Sequence, residues 1–165
     1  MPSVETKYFG ILTYAEESVF NFPQGLPAFE DEKTFVLIEA GHREALPEPA
    51  APLIFLQSMA RAGLCFAAFP IQAVDRQYEL AIAPEDLESL GLDAARQPVL
   101  GREVMALALL SVNDELLATA NLMAPVVLNV TVRRGLQAIR WDSRYSHQHP
   151  VSGQMPQVNQ GAHPC

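Results

Sequence analysis

The sequence predicts an all-β domain, mainly antiparallel, with a small barrel-like β-core and one short helix near residues 84–91. Three observations carry this expectation. Runs of roughly four to eight β-branched, aromatic and aliphatic residues recur along the chain, with the length and composition of strands. Short polar, glycine or proline stretches separate most of them, so sequence neighbours pair antiparallel. Several runs are apolar at nearly every residue, which suits a closed or nearly closed sheet. A two-layer sandwich is the alternative.

The chain has 165 residues, enough for one domain with a real core. Apolar residues make up 49% and charged residues 18%, a folded rather than a disordered composition. No apolar run approaches the ~18 residues of a membrane span. The first residues lack the basic and apolar regions of a signal peptide, so a cytoplasmic location is expected. Two cysteines, Cys65 in an apolar run and Cys165 at the end, form no disulfide framework and fit a reducing compartment. Net charge is −8, and the acids concentrate in the first 100 residues. That field repels phosphates and disfavours direct nucleic-acid binding, whereas it favours a basic partner protein.

In chain order, residues 4–14 read as a hairpin, with alternation around Val4, Thr6 and Tyr8 and a turn at Gly10. Residues 18–22 are a short strand and residues 33–39 a buried one. Residues 40–52 form a surface connector, because Pro47, Pro49 and Pro52 exclude helix and central strand. Residues 53–59 and 64–69 form a hairpin, and residues 77–82 alternate as a strand with one wet face. Pro84 at the first helical position, Glu85 and Asp86 in the first turn, Leu87 and Leu90 on one face and Gly91 at the stop define the helix. Residues 103–112 contain helix-favouring Ala, Leu and Met, yet their strand-rich surroundings make them a central strand. Residues 118–125 are a bridge, 126–132 a strand, 133–135 a basic turn and 136–141 the return strand. Residues 1–150 are expected as the single domain, and residues 151–165, with almost nothing to bury, as a disordered tail.

Catalytic signatures are absent from the sequence. It holds no nucleophile elbow, Walker A loop or Rossmann fingerprint. His147 and His149 share a face of an extended segment, but no cysteine cluster completes a metal site, and they read as exposed residues near the chain end. Cys65 lies among apolar neighbours that raise a thiol pKa. Arg133, Arg134, Arg140 and Arg144 read as a solvated strand edge. No catalytic residue, cofactor or metal is therefore expected.

The most distinctive stretch is Phe22-Pro23-Gln24-Gly25-Leu26-Pro27-Ala28-Phe29-Glu30-Asp31-Glu32. Pro23 and Pro27 fix φ, and Gly25 can turn left-handed, so the loop is stiff. It either folds back over one end of the core or projects Leu26 and Phe29 beside Glu30, Asp31 and Glu32. Phe22 is expected to face the core.

This loop, together with Glu5-Thr6-Lys7-Tyr8-Phe9-Gly10, Leu56-Gln57-Ser58, Tyr78-Glu79-Leu80, the helix from Asp86-Leu87 to Gly91, the Thr119-Ala120-Asn121-Leu122-Met123-Ala124-Pro125 stretch running on to Asn129, and Tyr145-Ser146-His147-Gln148-His149-Pro150, resembles the flagellar assembly factor family known as FliW. The resemblance runs in order over about residues 4–150. It implies a bacterial cytoplasmic, non-enzymatic protein with a β-barrel-like fold. It further implies binding to CsrA, an RNA-binding translational repressor, with relief of its repression of flagellin synthesis. Flagellin is implied as a competing partner. The candidate contact residues are Leu26, Phe29, Glu30, Asp31, Glu32, Glu85, Asp86, Glu88 and Asn121. A β-barrel chaperone or adaptor for another secreted or structural subunit is the alternative function.

Overall fold

The computed structural model describes residues 2–39, 53–112 and 118–151. The connector at 40–52, the polar turn at 113–115 and residues 152–165 of the expected tail lie outside the described residues.

The strands are β1 (Ser3–Thr6), β2 (Gly10–Thr13), β3 (Val19–Asn21), β4 (Thr34–Glu39), β5 (Ile54–Ser58), β6 (Cys65–Pro70), β7 (Val104–Val112), β8 (Ala118–Ala120), β9 (Val126–Asn129), β10 (Arg134–Gln137) and β11 (His149–Pro150). Two short helices, α1 (Ile71–Val74) and α2 (Pro84–Ser89), interrupt them between β6 and β7. β1 and β2 pair as a separate hairpin. The others run in the order β11-β8-β7-β6-β5-β4-β3-β10-β9, and β9 returns to pair with β7. Seven strands, β3 to β7 with β9 and β10, thus close into a barrel. Closure removes the free edges of a flat sheet.

The two seams of the closure differ. β7 and β9 share four antiparallel residue pairs, from Val104↔Asn129 to Leu107↔Val126. β10 and β3 meet in parallel at one pair, Arg134↔Asn21, beside which the Asn21 amide donates to the Arg133 carbonyl at 2.9 Å. β7 is composed like a helix but lies between β6 and β9, whose ladders claim its backbone.

Side chains from β3, β4, β5, β6, β7 and β9 fill the barrel, among them Phe20, Phe35, Leu56, Ala68, Leu107 and Leu128. Phe22 belongs to the same cluster and is fully buried, as expected. Its ring occupies the place where Gly135 has no Cβ: an added carbon there would lie 2.6 Å from Phe22 Cζ and 2.7 Å from Leu128 Cδ2. Gly135 is therefore a packing glycine inside β10, and not part of a turn as its neighbours Arg133 and Arg134 suggest. A second cluster packs Leu87 of α2 and Leu90 at its C-terminal cap on Val104, Val127, Leu136 and Ala138. A third joins Phe69, Ile71, Tyr78, Ala120, Leu122 and Val151. Val151 is buried and its amide donates to the Ala118 carbonyl, so the packed region extends one residue into the expected tail.

Three further expectations are corrected. Residues 77–82 form no strand; α1 precedes them; and the bridge at 118–125 opens with β8. The first has a specific cause. The ladder partners of 77–82 are replaced by side chains: Gln97 donates to the Ile82 carbonyl at 3.0 Å and accepts from its amide at 2.8 Å. The Glu79 amide donates to the Tyr145 hydroxyl at 3.2 Å, and Arg140 donates to the Glu79 carbonyl.

Arg140 is also not a solvated residue, being only 5% exposed. Its guanidinium makes a two-pronged pair with Asp142 at 2.7 and 3.0 Å and donates to the Tyr78 hydroxyl at 3.2 Å. It also lies over the rings of Tyr145 and Tyr78, 4.7 and 5.2 Å from their centroids. A planar, weakly hydrated cation with five donors suits such a site. The guanidinium holds the Asp142 carboxyl below its usual range. Burial pushes the Tyr78 hydroxyl up despite the Arg140 hydrogen bond, so it stays a donor, to the Leu122 carbonyl at 2.6 Å.

Candidate functional site

The loop at 22–32 begins where β3 ends. The Phe22 amide donates to the Lys33 carbonyl at 2.7 Å, and the Gly25 amide to the Phe22 carbonyl at 2.8 Å. Gly25 has φ +65°, and a Cβ there would lie 2.6 Å from Glu30 Cα and from the Phe29 and Glu30 carbonyl oxygens. Only glycine fits. Leu26 and Phe29 then bridge across a tight turn, with the Phe29 amide donating to the Leu26 carbonyl at 2.7 Å. Pro27 and Ala28 form its centre. Ala28 has φ +73°, a position where glycine is the usual solution. The Glu30 carboxylate steadies it by accepting the Ala28 amide at 3.0 Å.

Of the two readings of this loop, the structure supports the cover. Leu26 is 2% exposed and packs inside the barrel cluster, so it does not project. Phe29 is half-buried, edge-on to Phe66 at 5.6 Å, with the Arg61 guanidinium 5.9 Å from its ring centroid. Glu32 is buried, paired with Arg61 Nε at 3.3 Å, and accepts from Ser58 Oγ at 3.4 Å. It is therefore a structural acid and not part of a solvated edge. Glu30 and Asp31 stay exposed.

The loop reaches α2 through one hydrogen bond, from Gln24 Nε2 to Ser89 Oγ at 3.0 Å. α2 exposes Glu85 and Glu88, while Asp86 is half-buried. Burial, reinforced by the charge of Glu85, pushes the Asp86 carboxyl above its ordinary value. The helix ends as expected. The Gly91 amide donates to the Glu88 carbonyl and the Leu92 amide to the Leu87 carbonyl, with Gly91 at φ +76°. Asn129, buried at the end of β9, donates to the Leu90 carbonyl at 2.8 Å and fixes the helix to the barrel. Asn129 was legible only as part of a motif; its role needs the fold. Thus Glu30, Asp31, Glu85 and Glu88 sit on two elements that touch.

Asn121 stands apart from both. Its Oδ1 accepts from the Met123 and Ala124 amides at 3.0 Å each, shaping the bridge between β8 and β9. No group of three or more His, Cys, Asp or Glu among the described residues could hold a metal ion. His149 pairs with Ala120 as part of β11. A concavity of about 310 Å³ is lined mainly by Ile71, Leu100, Val104, Met105 and Val130, with no gathering of acid, base and nucleophile. No helix of the described residues is long and apolar enough to cross a membrane.

The comparison with known proteins agrees with this architecture. A family model described as FliW protein matches residues 3–151. The flagellar assembly factor FliW of Syntrophomonas wolfei is 34% identical over 143 residues, covering 86% of this chain and 83% of its own. That of Bacillus subtilis is 28% identical over 151 residues, covering 92% and 97%. A crystal structure of the flagellar assembly factor FliW superposes with a TM-score of 0.72 at 30% identity, covering 95% of this chain and all of that one. The closed barrel, the glycine-locked loop and a match over nearly the whole domain together place this chain in the FliW family of flagellar assembly factors.

Proposed function

We propose that this chain is a cytoplasmic protein-binding regulator that engages a CsrA-type RNA-binding repressor, relieves its repression of flagellin synthesis, and binds flagellin as a competing partner. Family membership supports the coarse role in flagellar assembly. The observation that carries the finer reading is the Gln24–Ser89 hydrogen bond, which joins an acidic loop to an acidic helix on a chain of net charge −8. An RNA-binding surface is basic. A negative face docked beside it attracts the protein and repels phosphates within about a Debye length, ~8 Å at physiological salt. The chain itself makes no contact with nucleic acid or membrane in this scheme.

The test reverses exposed acids that hold no structure. Asp31→Lys combined with Glu88→Lys leaves in place Glu30, which supports Ala28, and Glu32, which pairs with Arg61. Binding to CsrA and displacement of its RNA should weaken about tenfold at low salt and converge with the unaltered protein at high salt. Unchanged binding and displacement at both salt concentrations would sink the electrostatic account.

A further inference from the structure

β10 ends at Gln137, but two backbone bonds carry its pairing on as far as Arg140. The Ala138 amide donates to the Pro125 carbonyl at 2.8 Å, and the Arg140 amide to the Met123 carbonyl at 2.9 Å. Amides alternate in direction along an extended antiparallel chain. That of Ile139 therefore points the other way, toward the side on which β3 flanks β10, while Trp141 opens a bend. β3, however, pairs with β10 only at Arg134. Among the described residues, the Ile139 and Trp141 backbone groups have no hydrogen-bond partner. Their side chains, two residues apart, are 58% and 64% exposed. The sequence contained a signal for this, since alternation in 136–141 sets Leu136, Ala138 and Arg140 against Gln137, Ile139 and Trp141.

The surroundings describe the occupant. Unpaired donors and acceptors in a row are completed by another strand. The nearby charges are already neutralised: Arg140 pairs with Asp142 at 2.7 Å and Arg144 with Glu79 at 2.7 Å. An uncharged segment thus fits the edge, with apolar side chains to cover Ile139 and Trp141. A second copy of this chain fits less well, because two molecules of net charge −8 repel.

We propose that residues 137–141 are a docking edge for an extended, apolar, uncharged segment of a partner protein, added as a strand beside β10. The edge uses residues separate from the acidic loop and helix and goes beyond the charge-based reading above. Trp141 is the chain's single tryptophan, so its emission reports on the site directly.

The probe is a blocked seven-residue peptide alternating threonine and valine, titrated into the whole protein. The Trp141 emission should shift to the blue, with heat of binding in parallel. The same peptide methylated on all backbone nitrogens should bind about tenfold more weakly or worse, having lost its donors. Ile139→Pro, which removes an edge donor, should cost a similar factor; if that variant does not fold, the methylated peptide on the unaltered protein still decides. No spectral shift and no heat up to about 5 mM peptide overturns the proposal. Equal binding of the two peptides also overturns it, as does a salt-stabilised dimer of this chain that buries Trp141 and excludes the peptide.

Discussion

Two irregular segments without a sheet ladder lie on this barrel, and they are held in opposite ways. The loop at 22–32 largely holds itself. Apart from the Phe22 amide, which donates to the Lys33 carbonyl, its backbone bonds run between Phe22, Gly25, Leu26, Phe29 and Glu32, within the segment, and its shape follows from Gly25 and two prolines. The segment at 77–82 is held from afar. Gln97, Tyr145 and Arg140, between 15 and 66 residues away in sequence, supply the partners a neighbouring strand would have given. An irregular segment can thus be specified by local backbone chemistry or by distant polar side chains. Only the first kind leaves a signature in its own residues.

The contrast can be broken most severely at Arg140. Arg140→Met should destabilise the fold by about 3 kcal/mol, because it leaves the Glu79 carbonyl without its side-chain donor, breaks the pair with Asp142 and removes one of the two bonds of the Tyr78 hydroxyl, which keeps the one to Leu122. Chemical denaturation with circular dichroism measures this, and a near-neutral result would show that 77–82 does not depend on its remote partners. Gly25→Ala tests the local side. Its Cβ meets backbone at 2.6 Å, where no rotamer can relieve it, so a loss of about 2 kcal/mol is expected in the same assay. If Gly25→Ala is tolerated, the loop is not self-locked.

A smaller change sharpens the distant case. Gln97→Ala removes both bonds to Ile82 and should cost about 1–2 kcal/mol. Amide exchange should then quicken at Ile82 while staying slow in β5 and β6. The smallest expected effect has the opposite sign. Ala28 adopts φ +73°, so Ala28→Gly should raise stability by up to about 0.5 kcal/mol, relief of the left-handed strain slightly exceeding the entropy glycine adds to the unfolded chain. A fall in melting temperature would mean that the Glu30 bond already pays for that strain in full.

These cases explain what was legible. The hairpins, the buried strands and α2 with its Gly91 stop were readable because each depends on neighbours in sequence. The loop was recognisable as stiff, but composition alone could not say whether Leu26 faced inward. That depended on the cluster of barrel residues, most of them far away in sequence, against which it packs. In the sequence Glu32 continues one acidic run with Glu30 and Asp31, yet in the fold it is set apart by Arg61 and Ser58, which β5 and the turn after it bring up. Likewise Arg140 looked like its neighbours Arg133 and Arg144 until the tyrosines at 78 and 145 closed around it.

By itself the sequence determined the class of fold and the place of most strands along the chain, since hydrophobic period and turn residues act over short distances, and its motifs carried the resemblance to the family. The tertiary structure decided the rest: that β9 returns to β7 to close the barrel, that β10 meets β3 at a single pair, and which polar groups are buried. Those outcomes depend on residues far apart in sequence meeting in space, which no local pattern encodes. The same is true of the edge at Ile139 and Trp141. Alternation put them on one face, but only the early end of β3 left their backbone without a partner.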